Sequence, residues 1–180
     1  DKLRDNFYVM RGGGGNSGVF ITATGVVVVD TKNPGWGQPL LNAIKKVTDK
    51  PVTTIINTHT HGDHVSGNVE FPASVEVVAQ ENTRLWLATD VTWPWNGRRF
   101  TRVPSAAQPN RTFFATETIA PGVRAGHLPD APHTDGDLYV HLAEQNVLVV
   151  GDAVSGQGWP VVDDITGGWM GGIVGGLERL

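Results

Sequence analysis

Apolar and alternating runs separated by glycine and proline set out the elements of this chain. Phe7-Tyr8-Val9-Met10-Arg11 and Ser17 to Thr22 read as two strands around the run Gly12 to Gly15, a hairpin turn. Val26 to Val29 is apolar throughout, which predicts a strand covered on both faces. From Pro39 to Val47 the residues Leu40, Leu41, Ile44 and Val47 recur at helical spacing, with Lys45 and Lys46 facing water. Val52-Thr53-Thr54-Ile55-Ile56 predicts another buried strand, Val75 to Ala79 a further one, and Gln80 to Leu87 a short helix. Thr118 to Arg124 supports one strand. Leu138 to Leu142 alternates and Val147 to Val150 is apolar, a strand pair around Ala143-Glu144-Gln145-Asn146. Met170, Ile173, Val174 and Leu177 predict a helix near Leu180. Strands alternating with helices argue for an α/β sheet.

One stretch breaks this pattern. Thr89 to Thr112 carries Trp93, Pro94, Trp95, Pro104 and Pro109 and predicts no regular element. A structureless insert of that length in a compact domain is usually a lid or a binding loop. Its core, Trp93 to Arg102, mixes aromatics with arginines. Such a mixture binds nucleic acid in some proteins. A lid over an organic substrate beside the metal mouth, or an ordered loop packed on the core, fits one short cluster in an acidic chain better.

The densest chemistry follows the strand at 52–56. In Asn57-Thr58-His59-Thr60-His61-Gly62-Asp63-His64, three of the six histidines and one carboxylate fall together. Gly62 lets the backbone turn tightly. A loop at a strand end aims several side chains at one point, and imidazoles beside an aspartate suit a borderline-soft divalent metal such as zinc. A polar turn with solvated histidines is the plain alternative. It does not explain such density in a chain otherwise poor in histidine.

His-Thr-His-Gly-Asp-His, followed by Val65-Ser66-Gly67-Asn68, resembles the His-x-His-x-Asp-His signature of the metallo-β-lactamase superfamily of metal-dependent hydrolases. Upstream, Gly18-Val19-Phe20-Ile21 and Gly25 to Thr31 resemble its two opening strands, ending in the usual Asp-Thr. Downstream, Pro132-His133-Thr134-Asp135-Gly136-Asp137 resembles the segment of the next metal histidine. Asn146 to Asp152 resembles the strand whose terminal aspartate bridges two metals. Four motifs in the family's order cover residues 7 to 165. They leave the substrate open, because this fold hosts many reactions.

The resemblance implies a four-layer αββα sandwich of two mixed sheets flanked by helices, with metals at the sheet edge. It implies one zinc ion held by His59, His61 and His133 with a position left for water. A second would be held by Asp63 and His64, with Asp152 bridging the two. Asp63 would orient a metal-bound hydroxide and accept its proton. Relatives that do redox chemistry with two irons carry Glu where His61 stands, so imidazole there favours zinc and hydrolysis. The family's closing strand, with its Pro-Gly-His-Gly-like ligand, has no counterpart before Leu180, so the fold is expected to lack its C-terminal part and the second metal to bind weakly. His127 is a candidate to complete that shell, and His141 alternates along a strand as a core or surface residue. Trp159 in Gly158-Trp159-Pro160 is a candidate pocket wall.

Composition narrows the reading. A length of 180 residues suggests one domain with room for a core. Apolar residues at 39% and charged residues at 18% argue against disorder. A net charge of −4 argues against nucleic acid as a partner, and no apolar stretch approaches the roughly 20 residues that span a membrane. The absence of cysteine excludes disulfides, thiolate zinc ligands and a cysteine nucleophile, and with them the zinc-cysteine kind of β-lactamase. No Gly-Lys-Ser/Thr follows the glycine run, and no Gly-x-Ser-x-Gly surrounds Ser66. The start at Asp1 fits a removed secretory signal or a trimmed start; export to a bacterial periplasm, or secretion, is the expected compartment.

The leading reading is a zinc-dependent hydrolase of a small ester, thioester, lactone or lactam. The rivals are a catalytically weak metal- or ligand-binding module on the same fold, and a β-lactamase. The glyoxalase-type thioesterase is similar in its bridging aspartate, but Ser66-Gly67 stands where that type has a double glycine.

Overall fold

The computed structural model describes residues 1–97, 99–156 and 158–180. Two sheets face each other. The first has seven strands in the order β1-β2-β3-β4-β5-β6-β9. They are β1 (Lys2–Arg4), β2 (Phe7–Met10), β3 (Ser17–Ile21), β4 (Val26–Val29), β5 (Val52–Ile56), β6 (Glu76–Gln80) and β9 (Arg111–Phe113). The second has β10 (Thr116–Ala120), β11 (Val123–His127), β12 (Leu138–Leu142) and β13 (Val147–Val149) in sequence order. The first sheet is mixed: β1 to β4 pair antiparallel, and β4, β5, β6 and β9 run parallel. The four strands of the second pair antiparallel.

The expected sandwich is therefore present, and the burial pattern shows why it forms. Val27, Val29, Ile56 and Val78 point from the first sheet into an inner core. Ile119, Val123, Ala125, Leu138, Val140 and Leu142 meet them from the second. The alternate residues Val26, Val28, Ile55 and Val77 point the other way, onto Leu40 and Ile44 of α1 (Gly37–Lys45). A strand with apolar side chains at every position needs both of these layers. α3 (Glu81–Leu87) follows β6, with Gln80 Oε1 capping the N–H of Asn82. α4 (Met170–Arg179) docks on the 130–132 loop, where Arg179 pairs with Asp130. No helix among the described residues is long and apolar enough to cross a membrane.

Three expectations need correcting. Residues 116–127 form two strands, not one. Pro121 and Gly122, at φ +76°, turn the chain within a stretch whose polar content hid the break. Ile119, Val123 and Ala125 face the core while Thr118 and Arg124 face water. The insert at 89–112 is also not structureless. It forms a small hairpin of β7 (Val91–Thr92) and β8 (Arg99–Phe100), then runs into β9. Trp93 packs on Trp95 at 4.9 Å between ring centres. Arg98 of that cluster lies outside the described residues. Trp159 is 91% exposed and so walls no pocket.

Truncating the inner core should be costly. Ile56→Ala, at a side chain fully removed from water, is expected to lower unfolding free energy by about 2–5 kcal/mol in urea titrations. Leu148→Ala, on the outer strand β13 and 40% exposed, should cost less than about 1 kcal/mol.

Candidate metal centre

The parallel strands β4, β5 and β6 end at one edge of the sandwich, and the loops that follow them build the site. This is where open α/β sheets place their ligands. Asp30 extends β4, its N–H donating to Ile56 O at 3.0 Å. Asn57 extends β5 in the same way, donating to Val78 O at 2.9 Å. The second sheet joins through Leu138 N–H, which donates to Thr58 O at 3.0 Å. His133 precedes β12, and Asp152 lies on the turn of 3-10 helix just after β13.

The loop after β5 is held from beneath by buried amides. Thr31 N–H and the Asn57 side-chain amide donate to the carbonyl of His64, and Thr31 Oγ1 donates to Asn68 Oδ1 at 2.6 Å. Asn68 Nδ2 in turn reaches Asn57 Oδ1 at 2.7 Å. His61 caps α2 (Gly62–Val65), and Asp63 and His64 lie within that single turn.

Four imidazoles converge above this base. The ring centre of His59 lies 4.9 Å from His61, 4.2 Å from His64 and 4.8 Å from His133; His61 and His133 are 4.6 Å apart. The possible ligand atoms of His59, His61 and His133 lie within 4.8 Å of one another, and so do those of His59, His64 and Asp152. Asp63 stands beside the second group, its Oδ2 3.6 Å from His64 Nε2 and its side chain 42% exposed. Sequence-distant residues 59, 61, 64, 133 and 152 thus come to one place. His127 does not: its Nε2 bonds to Asp135 O at 2.9 Å. His141 projects from the outer face of β12.

Each ring's outer nitrogen is committed to another group. His61 Nε2 bonds the Asp163 carboxylate at 2.7 Å, His133 Nδ1 the Val161 carbonyl at 2.7 Å, and His64 Nδ1 the Asp30 carboxylate at 2.7 Å. Thr58 Oγ1 donates to Asp30 Oδ2 at 2.7 Å, so its remaining lone pair accepts from His59 Nδ1 at 3.0 Å. For His59, His61 and His133 the tautomers follow from these partners, and the inner nitrogens are left as lone pairs. Two inner nitrogens, His59 Nε2 and His64 Nε2, are buried with no hydrogen-bond partner. His133 Nε2 and His61 Nδ1 face each other at 2.9 Å with both outer protons already spent. Buried lone pairs that converge without donors fit a cation of imidazole-binding type, and the carboxylates at the rim fit its charge.

The ionisation states of the metal-free protein set His59 and His64 apart, the first neutral and the second holding a proton on each nitrogen until a cation displaces the inner one. Burial, then the neighbouring imidazoles His64, His61 and His133, hold His59 well below the usual histidine range, so it is neutral. Burial also disfavours a charged His64, but Asp30 and Asp152 together outweigh it and push His64 up to about 10. His64 Nε2 is 3.3 Å from Asp152 Oδ1 without hydrogen-bond alignment, so that contact is electrostatic. Asp152 is correspondingly held below the usual carboxylate range by His64, against the cost of burial. Burial raises Asp163, yet the His61 and Thr166 hydrogen bonds together bring it below its ordinary value.

A profile built on the metallo-beta-lactamase superfamily matches residues 10–177. The chain belongs to the metallo-beta-lactamase superfamily. Among solved members, the metallo-beta-lactamase from Pontibacter korlensis superposes with a TM-score of 0.71 at 22% identity, over 96% of this chain and 78% of that one. BJP-1, a subclass B3 metallo-beta-lactamase of Bradyrhizobium japonicum, gives 0.60 at 22% identity, over 78% of this chain and 55% of that one. A linear primary-alkylsulfatase of Pseudomonas sp. is 33% identical over 58 residues, 32% of this chain and 11% of that protein. The chain spans about half of several superfamily members, 52% of the Rm3 metallo-beta-lactamase among them. These structural likenesses establish the fold.

Superfamily membership and the imidazole cluster together mark this edge of the sandwich as a candidate metal centre. Several supporting residues carried no clear signal in sequence. Asp30 shows in the sequence only as the strand-end Asp-Thr of the resemblance, although an aspartate closing the apolar run Val26 to Val29 needs a partner there. Asp137, which accepts from the backbone of His133 and Thr134, lies in the recognised histidine segment without an assigned task. Asp163, the partner of His61, sits in an unpatterned stretch where nothing marks it. Cavities of about 280 and 560 Å³ reach the cluster, lined by Arg11, Asn16, Gly151 and Asp152. The Trp93 insert lines a different cleft, with α3 and Asp135.

The raised His64 value has a testable sign. Its contribution to the stability of metal-free protein is fully present below the unfolded value of 6.5 and lost as pH rises toward about 10. Lys32, pushed down to about 8 by burial, acts in the opposite sense above that pH, so the clean window is 6.5 to 8. Melting temperature measured without metal should fall across this window. The fall should be shallower in Asp152→Asn, which removes one of the two carboxylates facing the ring.

Proposed function

We propose that this chain carries the metal centre of a zinc hydrolase that cleaves an ester, thioester, lactone or lactam of a small molecule. The observation behind it is the convergence of buried imidazole nitrogens with no hydrogen-bond partner, the lone pair of His59 Nε2 foremost, beside the carboxylate of Asp152. In this reading His59, His61 and His133 hold one ion, and Asp63, His64 and Asp152 hold a second, more weakly. Nitrogen and carboxylate donors with no thiolate suit zinc. Zinc there would lower the pKa of a water to about 7 and polarise the substrate carbonyl.

The protein's own groups do the rest. Asp63 orients the attacking water and takes its proton; its carboxylate is exposed enough to meet substrate and close enough to the cluster to act there. Asp163 and the Val161 carbonyl fix the orientations of His61 and His133, and Asp30 fixes His64. The cavity beside Arg11, Asn16 and Asp152 admits the substrate.

A sulfate-ester substrate is a second reading, favoured by the segment 33% identical to the Pseudomonas alkylsulfatase. Turnover of 4-nitrophenyl sulfate, with no turnover of 4-nitrophenyl acetate or of a chromogenic lactam, would select it over the carbonyl substrates.

Zinc content and kinetics on the substrate selected in that way test the main reading. Asp63→Asn is expected to keep the zinc of the three-histidine site and lose about 10²–10⁴-fold in kcat. Equal turnover of variant and parent would remove Asp63 from the chemistry. Parent protein that takes up no zinc would remove the metal reading itself.

A further inference from the structure

Lys32 is a buried cation that the proposed chemistry leaves unused. It is 2% exposed, a state lysine almost never reaches without a partner. No ion pair involves it among the described residues. Its ammonium instead donates to two backbone carbonyls, Met10 O and Gly15 O, each at 2.6 Å. These are the two shoulders of the glycine turn between β2 and β3. The backbone at Lys32 is left-handed, φ +80°, as it is at Asp30, φ +63°. Lysine is a poor residue for that conformation, which glycine or asparagine adopts with less strain. Burial and backbone strain at one lysine imply that its ammonium does something glycine could not.

What it grips is the wall of the second half of the cluster. Gly15 lies so close to His64 that a Cβ there would fall 2.4 Å from the ring atoms Cε1 and Nε2. A Cβ on Gly14 would fall 2.8 Å from the Cβ of Asp63. Gly15 N–H donates to Asp63 O at 3.2 Å, and Asn33 N–H to Gly13 O at 2.9 Å. The turn therefore touches the inner nitrogen of His64 and the backbone of Asp63, and the position of the turn sets the shape of that pocket. Asp30, Thr31 and Lys32 follow one another on the chain. Asp30 orients His64 through its ring, Thr31 holds the His64 carbonyl, and Lys32 reaches past them to the turn.

We infer that Lys32 is a positioning residue: a latch that holds the glycine turn closed against His64 and Asp63, and thereby sets the metal affinity of their pocket without touching the three-histidine site. The second clause rests on the metal reading above; the first does not. The ammonium supplies two hydrogen bonds to carbonyls that would otherwise diverge across a flexible four-glycine run, where loss of order is easy.

Two variants test it. Lys32→Gly suits the left-handed backbone and removes only the side chain; Lys32→Met keeps the apolar stem and removes the ammonium. The first measurement needs no metal: amide exchange at Gly15 should accelerate at least tenfold in both variants, with Val28 and Ile55 unchanged. The second is a cobalt(II) titration followed by visible absorption. The weaker cobalt dissociation constant should rise at least tenfold while the tighter one changes less than threefold. Unchanged Gly15 exchange overturns the latch. Accelerated exchange with both cobalt constants unaltered, or both raised together, overturns its link to the second pocket. Failure of both variants to fold overturns it as well, since Lys32 would then hold the fold and not the turn. If the parent binds no cobalt, the metal reading falls, and Gly15 exchange alone decides the latch.

Discussion

The buried carboxylate of Asp30 is the constraint on which this edge of the molecule depends. It is 2% exposed and accepts three hydrogen bonds, from the Thr58 N–H at 2.8 Å, the Thr58 hydroxyl at 2.7 Å and the His64 ring at 2.7 Å. A buried carboxylate without such partners would be costly, so the chain ends of β4 and β5 must meet in one arrangement. The left-handed backbone at Asp30 is what turns its side chain inward from the strand end. Thr58, fixed by Asp30, then fixes His59, so two of the four imidazoles are oriented from a single carboxylate.

Orientation of the remaining rings is divided among later parts of the chain. Asp163 and the Val161 carbonyl come from the segment after Asp152, and Asp137 holds the backbone turn from which His133 projects. The cluster is thus tied from outside on every ring, with the inner nitrogens turned toward one another. Buried nitrogens that converge in this way and find no hydrogen-bond partner are the physical content of the metal reading. The gradient of exposure across the cluster gives it a direction. His59, His64 and His133 are buried, while His61, Asp63 and Asp152 are partly exposed, Asp152 in the cavity beside Arg11 and Asn16.

The tryptophan insert left two arrangements open, a lid beside the metal mouth or an ordered loop packed on the core. The observed hairpin leans on α3: Val103 N–H donates to Leu87 O, and Arg102 N–H to Asp90. Trp93 shares a cleft of about 510 Å³ with Trp86 and Asp135. None of its lining residues lines the cavities that reach the imidazoles.

The sequence by itself determined the elements and most of the ligand-type residues. Continuous apolar runs such as Val26 to Val29 demand cover on both faces, so they announce a central strand wherever the chain goes. The density of histidines after Ile56 announced a site because local spacing alone brings those rings near one another. What only the tertiary structure decided was everything held by long-range polar contacts: the pairing of Asp163 with His61, the grip of Lys32 on Met10 and Gly15, and the hub at Asp30. These depend on single hydrogen bonds between residues 17 to 102 positions apart, and they leave no periodicity in the sequence. The break at Pro121-Gly122 carries a turn-forming dipeptide, yet a short strand with half its residues facing water differs little from a loop until its neighbour is in place.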